Sequence, residues 1–327
     1  MPVLDIFGNN AFSVQSLTAA VNKMPFVPGR IGQLGIFTEK GVATTSVMIE
    51  EKEGALSLIP TSPRGAPPNQ NQSGKRRARS FAIPHIPLED QVRADEIQNV
   101  RAFGSENEME AVQTVVNERL GEMMIKHDAT LEHLRIGAIK GQILDADGTT
   151  VLYDLFSQFG VSPYAEVDFD LDNAGAAKGM IKKKCHEIIR KIEDVLGVAR
   201  YDHVHAMCSA TFFDDLTTHP EIEEAYRRYQ ESSFLRAGMV RGSFEYAGII
   251  FEEYRGKVGS VDFIPDGKAQ FFPVGVQDLF LQWNAPADFV ETANTIGLPR
   301  YAKQAIDQRF QRFVELHTQT NPLPICT

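Results

Sequence analysis

The chain has 327 residues, of which 43% are hydrophobic and 23% charged, and its formal net charge is -10. This composition is typical of a globular protein with a sizeable core. The acidic balance argues against a protein whose main task is to grip phosphate backbones, because such proteins depend on clustered lysine and arginine. The sequence shows no signal-peptide pattern and no run of about 18 apolar residues that would predict a membrane span. Cys185, Cys208 and Cys326 form no Cys-x-x-Cys pair, which favours a reducing, cytoplasmic compartment.

Residues 1–45 predict one short amphipathic helix. Val14, Leu17, Val21 and Met24 recur at helical spacing, and prolines and glycines surround them. A single short helix among turn residues has little surface of its own to pack on. We therefore expect an N-terminal arm that lies on another surface.

Residues 46–90 predict a long arm built from strands. Short strands are expected at Val47–Glu50 and Leu56–Ile59, and a returning strand at Arg79–Ile86. Between them, residues 60–74 are polar and rich in proline and glycine, a composition typical of disorder. Two strands without a covering partner are marginal in water, and so long a loop is uncommon unless it is functional. The partner surface of this arm is therefore expected on another molecule.

Basic and aromatic residues mark the tip and the returning strand of this arm. Lysine and arginine cluster just after residue 74, on an otherwise acidic chain. Such a cluster suits either nucleic acid or an acidic surface of a neighbouring copy, and the sequence leaves both open. The residues predicted to contact a neighbouring subunit are Arg64, Lys75, Arg76, Arg77, Arg79 and Phe81.

The strongest helical signal covers residues 105–142. Ser105 followed by Glu108 is a capping box at the start of the helix. Apolar residues then repeat every eleven positions, a period that keeps one face of a nearly straight helix in register. A single apolar stripe with charges elsewhere predicts a helix lying along a sheet rather than through a core. The predicted packing face comprises Met109, Val112, Val116, Leu120, Met123, Leu131 and Leu134.

After this helix, strands and helices mix without a regular strand–helix repeat, which favours an α+β fold. Turn residues and periodicity define each of these segments. The predicted segments are a hairpin turn at Asp145–Gly148, a strand at Val167–Asp172, a helix over 174–196 ending at Gly197, a strand at His203–Met207, helical residues 214–236 divided at Pro220, a hairpin at Phe244–Tyr254, a second hairpin joining Val261–Ile264 to Gln270–Phe272, and an extended end at Asn321–Ile325.

One cluster has residue types that bind metals. On a strand, His203 and His205 would point to one face, with Cys208 close by, a plausible start for a zinc site. A third and fourth ligand with matching spacing are not evident. Histidines at a strand surface or at a contact between subunits explain the pattern more simply.

A second pattern begins like a calcium-binding loop, at Asp168, Asp170 and Asp172. An EF-hand loop then requires glycine at its sixth position and glutamate at its twelfth. This sequence has Asn173 and Gly179 there, so a solvated strand face is the better interpretation. No nucleophile motif or phosphate loop stands out either. We expect no catalytic, cofactor-binding or metal-binding residues.

Taken in order, several stretches resemble the major capsid proteins of tailed phages, specifically the family of the lambda capsid protein E. The resemblance runs from about residue 30 to the end of the chain, and the order and spacing of the pieces carry it. The stretches are 50–59 (EEKEGALSLI), 79–87 (RSFAIPHIP), 132–148 (EHLRIGAIKGQILDADG), 263–267 (FIPDG), 285–299 (APADFVETANTIGLP) and 321–325 (NPLPI).

This resemblance implies the Hong Kong 97-type phage capsid fold, an α+β architecture, and a structural role. Its parts would be an N-terminal arm at 1–45, an extended loop at 46–90, a peripheral domain at 91–159 and 284–303 with a spine helix at 105–142, and an axial domain at 160–283 and 304–327.

The implied function is that of a major capsid protein without enzymatic activity. Pentamers and hexamers of the chain would form an icosahedral shell that encloses phage DNA without binding specific sequences. The implied partners are further copies, a scaffold or protease and a portal, with no membrane involved; whether a decoration protein also binds stays open. Assembly would take place in the host cytoplasm and the product would be the virion capsid.

Two other hypotheses stay open at this point. One is a cellular compartment shell similar to the encapsulins, which share the fold. The other is a metal-dependent soluble enzyme that uses the His203, His205 and Cys208 region.

Overall fold

In the computed structural model, the structure describes residues 14–23, 29–52, 76–97, 112–173, 179–223, 242–258 and 261–327. The helices in chain order are α1 (Val14–Lys23), α2 (Arg30–Leu34), α3 (Ala94–Ile97), α4 (Val112–Lys140), α5 (Leu155–Phe159), α6 (Met180–Leu196) and α7 (Ala210–Thr218). The strands are β1 (Thr38–Gly41), β2 (Ser46–Lys52), β3 (Arg76–Ala82), β4 (Ile86–Arg93), β5 (Gln142–Leu144), β6 (Val151–Asp154), β7 (His203–Cys208), β8 (Ser243–Tyr246), β9 (Ile249–Glu253), β10 (Lys257–Val258), β11 (Val261–Asp262), β12 (Ala269–Val274), β13 (Phe280–Asn284), β14 (Tyr301–Ile306), β15 (Phe313–Thr320) and β16 (Pro322–Cys326). None of the described helices has the length and apolar character needed to cross a membrane.

The long helix α4 has 29 described residues, which span about 44 Å at 1.5 Å per residue. The predicted capping box at 105–108 lies outside the described residues. The helix ends at Lys140, two residues earlier than predicted, because Gly141 adopts a φ of +82° and Gln142 already belongs to β5. A Cβ on Gly141 would lie 2.4 Å from the ring of Phe156, so this turn requires glycine.

The predicted packing face of α4 is buried wherever its side chains are described, at Val116, Leu120, Met123, Leu131 and Leu134. Val112 begins the described helix, and Met109 lies outside the described residues. The expectation of a single apolar stripe is wrong for the C-terminal half of the helix, because two different cores contact that half. Its N-terminal half packs on α1 and β15, and Leu134 lies in a core with β13 and β16. Ile136 lies in a third core with α2, β7 and β12.

Two three-stranded sheets support this helix. One has the order β14–β15–β4, with both pairs antiparallel, and the other has the order β1–β13–β16, in which β1 runs parallel to β13. The returning strand predicted at Arg79–Ile86 is divided, because β3 ends at Ala82 and β4 begins at Ile86 in a different sheet. Residues 304–327, expected with the axial part, pair instead with β4 and β13 beside the long helix.

A four-stranded sheet of order β12–β7–β9–β8 forms the other half of the molecule. The predicted hairpin at Phe244–Tyr254 is confirmed as β8 and β9, joined through Ala247 and Gly248, which both have positive φ. The second predicted hairpin is wrong. β12 pairs with β7, and β11 pairs with β10, although the turn over residues 265–267 is present.

Of three further local predictions, two are confirmed and one is wrong. The turn at Asp145–Gly148 is confirmed between β5 and β6, and the extended end is confirmed as β16. The predicted strand at Val167–Asp172 is wrong: no ladder forms there, and Phe169 anchors the segment by inserting between Phe212 and Phe271.

Two helix predictions need their boundaries moved. Helix α6 begins at Met180 and is terminated by Gly197, as predicted, with Leu196 its last helical residue; residues 174–178 lie outside the described part. Helix α7 starts at Ala210 rather than 214, because the Ser209 hydroxyl caps it by accepting a bond from the N–H of Phe212. Pro220 begins a new helical segment, as expected, and residues 224–236 of the prediction lie outside the described part.

Candidate functional site

The two-stranded ribbon of β2 and β3 is the clearest candidate for a contact surface. The strands pair over seven residues each, from Ser46 opposite Ala82 to Lys52 opposite Arg76. Within the described part of the chain, no third strand joins them. Met48, on the ribbon, has 67% of its side-chain surface exposed. A two-stranded ribbon with an exposed apolar side chain has unsatisfied packing capacity.

The base of the ribbon is anchored on its own chain. Phe81 is fully buried, with ring centroids 5.6 Å from Tyr153 and 5.8 Å from Phe159. The Tyr153 hydroxyl donates a hydrogen bond of 2.7 Å to the carbonyl of Ala82. The prediction that Phe81 contacts a neighbouring subunit is therefore corrected: its ring fills a pocket of its own subunit.

Arg79 belongs to the same anchor. Its guanidinium lies 5.3 Å from the centroid of the Phe159 ring and donates to the carbonyl of Gln158. Of the other residues predicted for the arm, Arg76 and Arg77 lie on β3, and Arg64 and Lys75 lie outside the described residues. The structure thus brings together Arg79 and Phe81, at the base of the ribbon.

A buried polar seam ties the segment before the ribbon to α4. The Glu132 carboxylate, only 4% exposed, accepts bonds from the backbone N–H of Ile31 (2.7 Å) and Gly32 (3.2 Å) and from the Tyr254 hydroxyl (3.2 Å). Burial raises the pKa of Glu132, and these bonds together with the Arg135 charge oppose that shift. A Cβ on Gly29 would lie 2.2 Å from this carboxyl group, so a side chain there is excluded.

A second part of the seam crosses to the four-stranded sheet. Arg30 contacts Glu252 through two bonds, of 2.5 and 3.0 Å, and His205 Nε2 lies 3.1 Å from the same carboxylate. Burial raises the pKa of Glu252, but the bonds from His205 and Arg30 outweigh it, so the pKa lies below its usual value. His205 is therefore engaged in an ion-pair network that begins at the N-terminal segment.

This arrangement concerns the metal site considered at His203, His205 and Cys208. Burial raises the pKa of Cys208, whose thiol lies 3.7 Å from the carbonyl of Ala206. The His203 ring lies 6.1 Å from that of His205. Among the described residues, no group of three histidine, cysteine, aspartate or glutamate side chains is placed to hold a metal ion. The local structure therefore gives a metal site no support.

Two buried arginines and their partners complete the seam. Arg135 donates to Gln282 (2.8 Å) and to Glu39 (2.7 Å), which joins α4 to both β13 and β1. Arg300 donates to Asp128, and both side chains are less than 8% exposed. The sequence contained a signal for this network: Asp128, Glu132 and Arg135 follow helical spacing, so three charges lie on one face of α4.

Comparisons with known proteins agree on one family. The sequence profile of the phage major capsid protein E family matches residues 13–327. The chain is 31% identical to the major capsid protein of Pseudomonas phage KPP10, over 95% of this chain and 93% of that protein. It is 28% identical to the major capsid protein of Salmonella phage Felix O1, over 97% and 94% of the two chains. A crystal structure described as a prophage capsid protein of E. coli CFT073 matches with a TM-score of 0.51 at 14% identity, over 96% and 95% of the two chains, and supports the same α+β fold.

Proposed function

The chain belongs to the phage major capsid protein E family, whose members build the shell from copies of themselves, and from this premise we propose that the β2–β3 ribbon lies on a neighbouring copy. The protein is structural and not an enzyme, and its relatives are named as phage capsid proteins rather than as cellular compartment shells. The ribbon is the part of the described chain that most needs an outside partner.

The observation that carries this proposal is the contrast between the two ends of the ribbon. At its base, Phe81 and Arg79 fix the strands to β6 and α5. Towards Lys52 and Arg76 the strands pair only with each other in the described structure. Because an isolated ribbon is marginal in water, a surface on a second copy would stabilise this end. The anchored base would fix the direction in which the ribbon points.

The assignment of the other parts of the chain to an N-terminal arm, a peripheral domain and an axial domain is also a proposal. Residues 1–45 would serve as the N-terminal arm, although α1 already packs on β14 and α4 of its own chain. The long helix with its two three-stranded sheets would form the peripheral domain, and the pairing of β14–β16 supports including residues 304–327 there. The four-stranded sheet with α6 and α7 would form the axial domain at the centres of pentamers and hexamers.

Further partners follow from the same proposal. A scaffold or protease and a portal would take part in building the shell in the host cytoplasm, and the finished icosahedral shell would enclose double-stranded DNA. The net charge of -10 supports enclosure without tight binding, because a wall that gripped phosphates would depend on clustered basic residues.

Replacing residues 60–74 by Gly-Ser-Gly-Ser tests the role of the ribbon. We expect the yield of sedimenting shells to fall at least tenfold while the far-UV circular dichroism spectrum stays unchanged. Met48→Asp should give the same loss, because it places a charge on an exposed apolar contact. Val195→Asp, at a position of similar exposure (69%) on α6, is the control for an added charge. Wild-type shell yield from Met48→Asp, which alters the ribbon itself, would refute the proposal.

A further inference from the structure

The turn between β14 and β15 carries an exposed aromatic ring in an ordered setting. The Asp307 carboxylate accepts bonds from the N–H groups of Arg309 (2.9 Å) and Phe310 (3.2 Å), which fixes the turn. The Phe310 side chain is 60% exposed. The guanidinium groups of Arg309 and Arg312 lie 5.0 and 5.1 Å from its ring centroid. The turn therefore presents one apolar ring between two cations, an arrangement suited to a contact with another molecule.

An open groove with the opposite character lies elsewhere on the same sheet. It encloses about 490 Å³ beside β4 and β15. Pro87 and Phe289 give it an apolar lining, and Glu89 and Asp288 place exposed carboxylates at it. The Glu89 side chain is 79% exposed. The Glu89 carboxylate contacts His317 Nδ1 at 2.8 Å, and no lysine or arginine among the described residues pairs with Asp288.

The groove is also held in a fixed shape. His317 Nδ1 donates to Glu89, and the amide of Gln319 donates to His317 Nε2 over 2.7 Å. The side-chain oxygen Oε1 of Gln319 accepts a hydrogen bond of 2.9 Å from the backbone N–H of Asp288, which ties strand β15 to the segment around Asp288. The His317 and Phe289 rings are in contact, with centroids 5.5 Å apart. A surface that is already ordered loses little conformational entropy when it binds.

The turn and the groove cannot meet within one chain. Strand β15 leaves the turn at Phe313, opposite Arg93, and reaches the groove at His317, opposite Glu89. Four residues of extended strand separate these points by roughly 13 Å, farther than an arginine side chain extends. Two complementary patches on different parts of one subunit are what a head-to-tail contact between identical copies requires.

We propose that the turn at residues 307–312 of one copy docks into the groove of a second copy. Phe310 packs against Pro87 and Phe289, and the two arginines pair with Glu89 and Asp288. The inference rests on the proposed function only in requiring that copies of the chain meet, and it concerns a surface separate from the ribbon. Opposite charges across the contact also disfavour the reverse pairing of two turns or two grooves.

Charge reversal tests this contact directly. Arg309→Glu with Arg312→Glu should lower the yield of shells at least tenfold, and Glu89→Lys with Asp288→Lys should do the same. The variant with all four substitutions should regain at least half of the wild-type yield, because the charges are complementary again. Arg255→Glu, at a side chain that is 79% exposed on another surface, is the matched control and should assemble normally.

The outcomes separate this inference from the proposed function. Wild-type yield from either reversed pair, or a fourfold variant as defective as the pairs, would overturn the docking contact and leave the ribbon proposal standing. A wild-type chain that stays monomeric at all concentrations would overturn both. If charge reversal lowers solubility, Arg309→Gln with Arg312→Gln removes the two cations without adding charge, and its shell yield is measured by sedimentation. Phe310→Ser tests the apolar part of the contact in the same way.

Discussion

The core behind the four-stranded sheet and the seam around α4 hold their elements in place by different means. The first is dominated by aromatic rings, among them Phe169, Phe212, Phe213, Phe244 and Phe251. The second places Asp128, Glu132 and Arg135 of one helix against charged or polar partners on α2, β1, β13 and Arg300. The sheet core thus depends on buried apolar area, whereas the seam depends on the placement of individual charges.

This difference has a structural consequence. Apolar packing is non-directional and tolerates small adjustments. A buried charge is costly unless its partner is in place, so the seam accepts one arrangement of the N-terminal segment, the long helix and residues around 300. Substitutions in the two regions should therefore differ in the size and in the pH dependence of their effects on stability.

The largest effect is expected in the sheet core. Phe251 is fully buried, 5.6 Å from Phe244 and 6.0 Å from Phe271 between ring centroids. Phe251→Ala should lower the free energy of unfolding by about 4 kcal/mol, because it removes apolar contacts and leaves a cavity. Urea unfolding of the unassembled chain measures this. Phe310→Ala, at an exposed ring, should change it by less than about 0.5 kcal/mol. A loss under about 1 kcal/mol for Phe251→Ala would contradict the prediction.

The next effect concerns the seam. Arg300→Met should destabilise the chain by about 3 kcal/mol, because it leaves the Asp128 carboxylate buried without its cation. Adding Asp128→Leu should recover most of that loss, since an apolar pair of similar volume avoids the cost of burying charge. The free energies of unfolding of the single and the double variant, measured at equilibrium, test this prediction. Losses that simply add in the double variant would show that the two residues act independently.

A smaller effect on stability, which depends on pH, is expected from His127, whose ring lies 2.9 Å from the Thr318 hydroxyl. Burial and the nearby Arg300 charge lower the pKa of His127 from 6.5 to about 4. Because the folded chain disfavours the protonated ring, His127 stabilises the fold above pH 6.5, and that stabilisation is lost as pH falls towards 4. The loss between pH 7 and pH 5 should be about 2 kcal/mol.

His127→Gln should remove this part of the pH dependence, and the free energy of unfolding at pH 7 and pH 5 measures it. His186→Gln on α6 controls for the loss of a histidine. A pH dependence of stability that is the same in His127→Gln as in the wild type would contradict the role of His127.

Glu132 acts in the opposite direction: its raised pKa gives stability that is present at low pH and is lost as pH rises through that pKa.

The features that were predictable from sequence are those set by local chemistry. The eleven-residue repeat identified α4, the Asp145–Gly148 turn identified the β5–β6 hairpin, and the strand that pairs with β3 was found from Val47–Glu50. The family followed from ordered stretches of similar sequence. The anchoring role of Phe81 was not predictable, because an aromatic residue in a strand has the same local pattern whether it faces its own subunit or another.

What the sequence determined by itself is the identity of its local elements and of its family, because helical periodicity, turn residues and short motifs act over a few neighbouring positions. Tertiary structure alone decided which strands pair: β12 pairs with β7 rather than with β11, and β14–β16 join the sheets of the long helix. It also decided that Glu132 and Arg135, charged residues on a helix, are buried. Strand pairing and charge burial depend on residues far apart in the chain, and period-two patterns are alike for every possible partner strand.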